Sequence, residues 1–137
     1  NWEQRAQDYG FDTIQELTDY FVNGIVHNEM VDRLRIEFPS TKIFTIPTGW
    51  SSVILDQMNT NNELLDDISR FGPLPTSLFV DVKGHQGDII REAGSLVWLN
   101  SVYGVNLSSF VYETGFNTDL HEIAKQIMDS HDPNYKQ

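Results

Sequence analysis

The sequence predicts an α/β protein in which a small parallel sheet is covered by helices, and three observations lead there. Two short runs, 42–47 and 78–81, are apolar and rich in β-branched and aromatic residues. Helical periodicity fills the stretches between and after them, and the pattern over 89–103 carries an apolar arc wide enough to lie against a sheet. Strands separated by helical segments pair in parallel through right-handed crossovers. With 137 residues and no low-complexity segment, the chain reads as one segment, 1–137.

Residues 1–12 are polar with scattered Trp2, Tyr9 and Phe11 and no period, so they read as an irregular lead-in. Thr13 and Glu16 have capping-box spacing, and Ile14, Leu17, Phe21 and Ile25 with Val22, Val26 and Met30 lay an apolar stripe along a helix to about Glu37. Its other side carries Asp19, Glu29, Asp32, Arg33 and Arg35, a solvated face, with His27 at the boundary. Pro39 ends the helix, and Lys42–Pro47 reads as a buried strand. Ser51 or Ser52 caps a helix through Val53, Ile54, Leu55 and Met58. Residues 63–70 form a short helix, and Phe71-Gly72-Pro73-Leu74-Pro75 is a stiff loop leading to the strand at 78–81. Asp88 is the expected N-cap and Gly104 the expected C-cap of the apolar helix. Residues 105–117 form a loop bearing Phe110, Tyr112 and Phe116. Thr118 then caps a last amphipathic helix through Leu120, Ile123, Ala124, Ile127 and Met128, on which His121 and His131 are expected to be exposed.

Twenty Asp plus Glu against nine Lys plus Arg give a net charge of −11, which repels phosphate backbones and anionic membrane surfaces. Neither a nucleic acid nor a membrane is therefore an expected partner. No cysteine is present, which excludes disulfides and thiolate metal sites. No apolar run approaches the roughly 20 residues that a membrane span requires. The sequence begins at Asn1 without a signal-peptide pattern, so a processed or excised piece is expected.

Two superficial motifs fail. Gly49-Trp50-Ser51-Ser52-Val53 lacks the second glycine of a nucleophile elbow. A calcium loop counted from Asp56 has Met58 at its third position and no glycine at its sixth. No cofactor or metal is expected. The stretch that does suggest chemistry is Leu78-Phe79-Val80-Asp81-Val82-Lys83-Gly84-His85-Gln86-Gly87-Asp88, a strand feeding a loop that presents Asp81 and His85 to solvent. Gly84 and Gly87 flank the histidine and permit a tight backbone course.

Ile46-Pro47-Thr48-Gly49, then Ser77 to His85, then Ala93 to Gly104, with the closing Leu120–Ala124 helix, resemble in order and spacing the C-terminal half of bacterial SGNH (GDSL-like) hydrolases, over roughly residues 20–131. The resemblance implies a flavodoxin-like three-layer α/β/α fold, present here in part, and hydrolysis of an ester on an acylated carbohydrate or lipid by a secreted or periplasmic enzyme. It also implies that His85 is the general base and Asp81 the carboxylate that orients it, as in a Ser-His-Asp triad. The family spaces these two Asp-x-x-His, whereas Val82, Lys83 and Gly84 intervene here. No Gly-Asp-Ser block and no oxyanion-hole block occurs in these residues. The chain is therefore expected to be inactive alone, its apolar face covered by a missing N-terminal half or a second copy. The competing expectation is a non-catalytic acidic module for carbohydrate binding or interaction, with Trp50, Trp98 or Tyr112 as stacking surfaces.

Overall fold

Thr13 and Glu16 cap each other as the spacing predicts: the Thr13 hydroxyl accepts from the Glu16 N–H, and the Glu16 carboxylate accepts from the Thr13 N–H. The computed structural model describes residues 2–74 and 76–137. The chain divides into two compact units, Asn1–Thr45 with Pro133–Gln137, and Ile46–Asp132.

In the first unit, the expected irregular lead-in is instead a helix, α1 (Trp2–Asp8). It buries Ala6 and ends where Gly10 turns the chain at φ +83°, the Phe11 N–H closing back on the Ala6 carbonyl. Two turns in which Ala6 is the one buried residue among those whose burial is described leave no period to read. The long helical run does form, but not as one α-helix. It comprises α2 (Ile14–Asp19), a π-helical segment (Tyr20–Val31) and α3 (Asp32–Glu37). The Asp32 N–H bonds the His27 carbonyl, five residues back. That ladder takes more residues per turn than the α period, so the expected stripe rotates out of register. Phe21 and Met30 are exposed, while Leu17, His27 and Val31 are buried.

His27 is thus no boundary residue; it is 1% exposed. Its ring stacks on Tyr135 at 3.7 Å and 7°, with Nδ1 3.2 Å from Asn23 Oδ1 and Nε2 3.0 Å from Thr45 Oγ1. Lys42–Pro47 is not a strand. It runs extended without a ladder, because its polar backbone groups are taken up one at a time: Arg35 donates twice to the Ile43 carbonyl, and the Thr45 N–H bonds the Tyr135 carbonyl. Tyr135 belongs to a 3₁₀ turn (Pro133–Tyr135) and donates to Asp32 at 2.9 Å.

The second unit is mixed α/β. Helix α4 (Gly49–Thr60) starts after Thr48, so Ser51 and Ser52 lie inside its first turn and are buried rather than capping it. No helix forms over 63–68, since the Leu65 N–H and the Asp66 carboxylate are engaged by Asn117 and Thr118. Strand β1 (Ser69–Phe71) follows, then the fully buried β2 (Ser77–Phe79). They pair in parallel, Ser69 with Ser77 and Phe71 with Phe79. The sheet is parallel as expected, yet the partner is β1 and not 42–47, and the connection is residues 72–76 in place of a helical crossover. Ser77 Oγ folds this connection by donating to the Gly72 carbonyl at 2.6 Å. The stiff loop read over Phe71–Pro75 extends outside the described residues at Pro75.

Helix α5 (Asp88–Tyr103) buries Ile89, Ile90, Ala93, Leu96 and Val97 and ends on Gly104 in the left-handed conformation, φ +65°. Its N-cap is Gly87, and Asp88 sits in the first turn against Arg91. Helix α6 (Leu120–Ser130) packs on α5 and is capped by Asp119, which accepts from the Glu122 N–H; Thr118 is buried and bonds Asp66 instead. The expected exposure of the last two histidines also fails. His131 is the buried C-cap of α6, and His121 is half-buried with both ring nitrogens engaged. A bidentate pair, Asp56 with Arg70 at 2.8 Å through both oxygens, ties α4 to β1.

Candidate functional site

The site begins with the burial of β2. Because Ser77, Leu78 and Phe79 are enclosed, their backbone groups need partners on both sides, and the returning chain at 85–87 supplies one set. The Gly87 N–H bonds the Leu78 carbonyl at 2.6 Å, the Val80 N–H bonds the His85 carbonyl at 2.8 Å, and Phe79 bridges Gln86 antiparallel. Between these strands residues 81–84 make a tight turn, closed from the Gly84 N–H to the Asp81 carbonyl at 3.2 Å, with Gly84 at φ +89°.

This turn places Asp81 and His85 at the same end of a hairpin. Asp81 Oδ1 accepts from the Lys83 N–H at 2.9 Å and the His85 N–H at 3.3 Å, while Oδ2 lies 2.5 Å from His85 Nδ1. The hydrogen bond from the His85 ring, chiefly, with those from the backbone of His85 and Lys83, holds the Asp81 carboxyl below its ordinary value. A carboxylate only accepts, so the proton between them sits on Nδ1, and Nε2 is the ring nitrogen turned outward. No described residue hydrogen-bonds Nε2, and the His85 side chain is 70% exposed. The three intervening residues are therefore compatible with contact; the extra length is absorbed by Gly84.

No known family model, curated protein or solved structure matches this chain.

The remaining sequence candidates fall elsewhere. Ser51 is fully buried and donates to the Thr48 carbonyl at 2.6 Å. Ser52 accepts from Gln86 Nε2 at 2.9 Å, which moors the loop to α4 beside His85. That contact spans thirty-four residues and left no local signal in the sequence. Trp98 is exposed on α5, Trp50 is half-buried in α4, and Tyr112 stacks on Phe110 at 5.8 Å. Among the described residues no group of His, Asp and Glu could hold a metal ion, and no helix is long and apolar enough to cross a membrane.

A second feature was not foreseen. A cleft of about 740 Å³ opens beside the first turns of α5, lined by Asp66, Asp88, Arg91 and Glu92 with Phe116 and its neighbours from the 105–117 loop. Its described lining residues come from both sides of the loop in the chain and include neither His85 nor Asp81.

Proposed function

We propose that this chain supplies the Asp/His end of the triad of a serine ester hydrolase of SGNH type, a bacterial extracytoplasmic esterase or deacetylase acting on acylated carbohydrate or lipid. The observation that carries the reading is the Asp81–His85 pair, a carboxylate on Nδ1 and an exposed Nε2 on a loop fixed by a buried strand. In this reading the mixed α/β unit is part of a flavodoxin-like three-layer fold, and the nucleophilic serine and oxyanion donors come from a segment N-terminal to these residues. His85 Nε2 takes the serine proton as Oγ bonds to the ester carbonyl carbon. It then returns that proton to the departing alcohol, and a water activated by the same nitrogen releases the acyl group. Asp81 stays ionised, holding the tautomer and stabilising the imidazolium.

Without the oxyanion donors, each worth about 10²–10³ in rate, the isolated chain should cleave p-nitrophenyl acetate no faster than free histidine does. Joined to an N-terminal half carrying the serine, it should turn over, and His85→Ala should lower that turnover by about 10⁴-fold or more with an unchanged circular dichroism spectrum. Near wild-type turnover in that variant would remove His85 from the reaction. The cleft beside α5, with its carboxylates and Phe116, favours a second reading as a carbohydrate-binding module. Saccharide titration that shifts the Glu92 and Phe116 amides, with no turnover in the joined protein, would select it.

A further inference from the structure

His121 faces two carbonyl oxygens. Its Nδ1 lies 3.2 Å from the Leu107 oxygen and its Nε2 3.0 Å from the Tyr112 oxygen. A carbonyl oxygen only accepts, and a neutral imidazole carries one N–H, so the neutral ring serves one of these oxygens and turns a lone pair toward the other. Only the imidazolium donates to both.

We propose that residues 107–116 form a strap that protonated His121 latches down, and that this strap is the movable wall of the cleft beside α5. The strap crosses from α6 to α5. Phe110 rests against the His121 ring at 5.9 Å, and Tyr112 stacks on Phe110. The Glu92 carboxylate on α5, beside the Tyr112 phenol, holds that phenol above its ordinary range. Thr114, Gly115 and Phe116 then line the same cleft as Glu92. The strap has no regular secondary structure, and Val111 at its crest is 97% exposed, so side-chain ties decide its position.

The charged groups around the ring come from both elements it joins. Glu113 belongs to the strap and Asp119, Glu122 and Lys125 to α6 and its cap, all lining one cleft of about 490 Å³ with His121. Lys125 is itself paired with Asp129. The sign of the effect follows: the strap is fastened in acid, and it loosens as the pH rises through the ring's titration and one carbonyl loses its donor.

Two-dimensional NMR of the chain between about pH 5 and 8, the range in which histidine titrates, tests this. The amide signals of 107–113 should move with the midpoint of the His121 ring signals, and their relaxation should report greater mobility on the alkaline side. His121→Gln should abolish that transition, and His121→Arg, always charged, should keep the strap ordered throughout. Strap amides that do not titrate in the wild-type chain, or a transition that survives unchanged in His121→Gln, would overturn the proposal. The wild-type coincidence of midpoints decides the matter even if a variant fails to fold.

Discussion

Asp81 draws three donors from the four residues that follow it, so the carboxylate–imidazole pair is a product of a turn and needs little tertiary support. Gly87 is different, because its constraint comes from outside the turn. Its φ of −77° suits any residue, yet a Cβ there would lie 1.9 Å from the Ser77 carbonyl oxygen and 2.8 Å from that of Leu78. Gly87→Ala must push β2 and the returning chain apart. It should cost about 3 kcal/mol in denaturant unfolding, at the upper end for overpacking. A cost below about 1 kcal/mol would mean that the hairpin tolerates separation there. Asp81 and His85 were legible as two polar residues on one loop after a strand, but their contact was left open by the three residues between them and is decided by the turn, with Gly84 at φ +89°. The Gln86 to Ser52 bond was not, because nothing local fixes a partner so distant in the chain.

At the scale of elements, the same divide between local and distant partners accounts for what the sequence predicted well and poorly. The capping box at Thr13, the Gly104 C-cap and the helices α5 and α6 are local and amphipathic, and they form where periodicity puts them. Two of the failures are places where a group outside the segment took over backbone partners: Arg35 and Tyr135 at 42–47, Asn117 and Thr118 at 63–68. Asp66 is the centre of the second case. It accepts from the N–H groups of Asn117 and Thr118 and from the Thr118 hydroxyl at 2.6 to 2.9 Å. Burial alone would raise its carboxyl, but the bonds from Thr118 and Asn117 outweigh it and hold the group below its ordinary value. A lowered folded value means that this clasp is intact above about pH 4 and is lost as the pH falls through the folded value. Asp66→Asn should remove about 1 kcal/mol at neutral pH, a figure kept small by solvent exposure, and flatten the acid limb of the unfolding profile. An unchanged acid limb would assign that limb to other carboxylates.

At the scale of the whole molecule, the two compact units make separate claims on stability. In the first, the C-terminal turn supplies Tyr135, which covers the His27 ring, receives the Arg35 guanidinium 5.0 Å above its face and donates to Asp32. Tyr135→Ala should cost that unit about 3 kcal/mol, as for a buried aromatic lost to a cavity. Hydrogen exchange should then rise across 20–37 and stay unchanged in α5; equal loosening of both would mean that the units unfold together. In the second unit the sheet register has a kinetic meaning. Ser69 pairs with Ser77 eight positions on, and Phe79 with Gln86 seven positions on, so three successive segments meet without a distant strand. Parallel sheets are slow to form because a long crossover must be ordered before any ladder bond rewards it. Here each closure spans a loop of the size that closes in about 10–100 ns. The scaffold beneath Asp81 and His85 thus has the contact order of a hairpin and can assemble ahead of the helices that cover it.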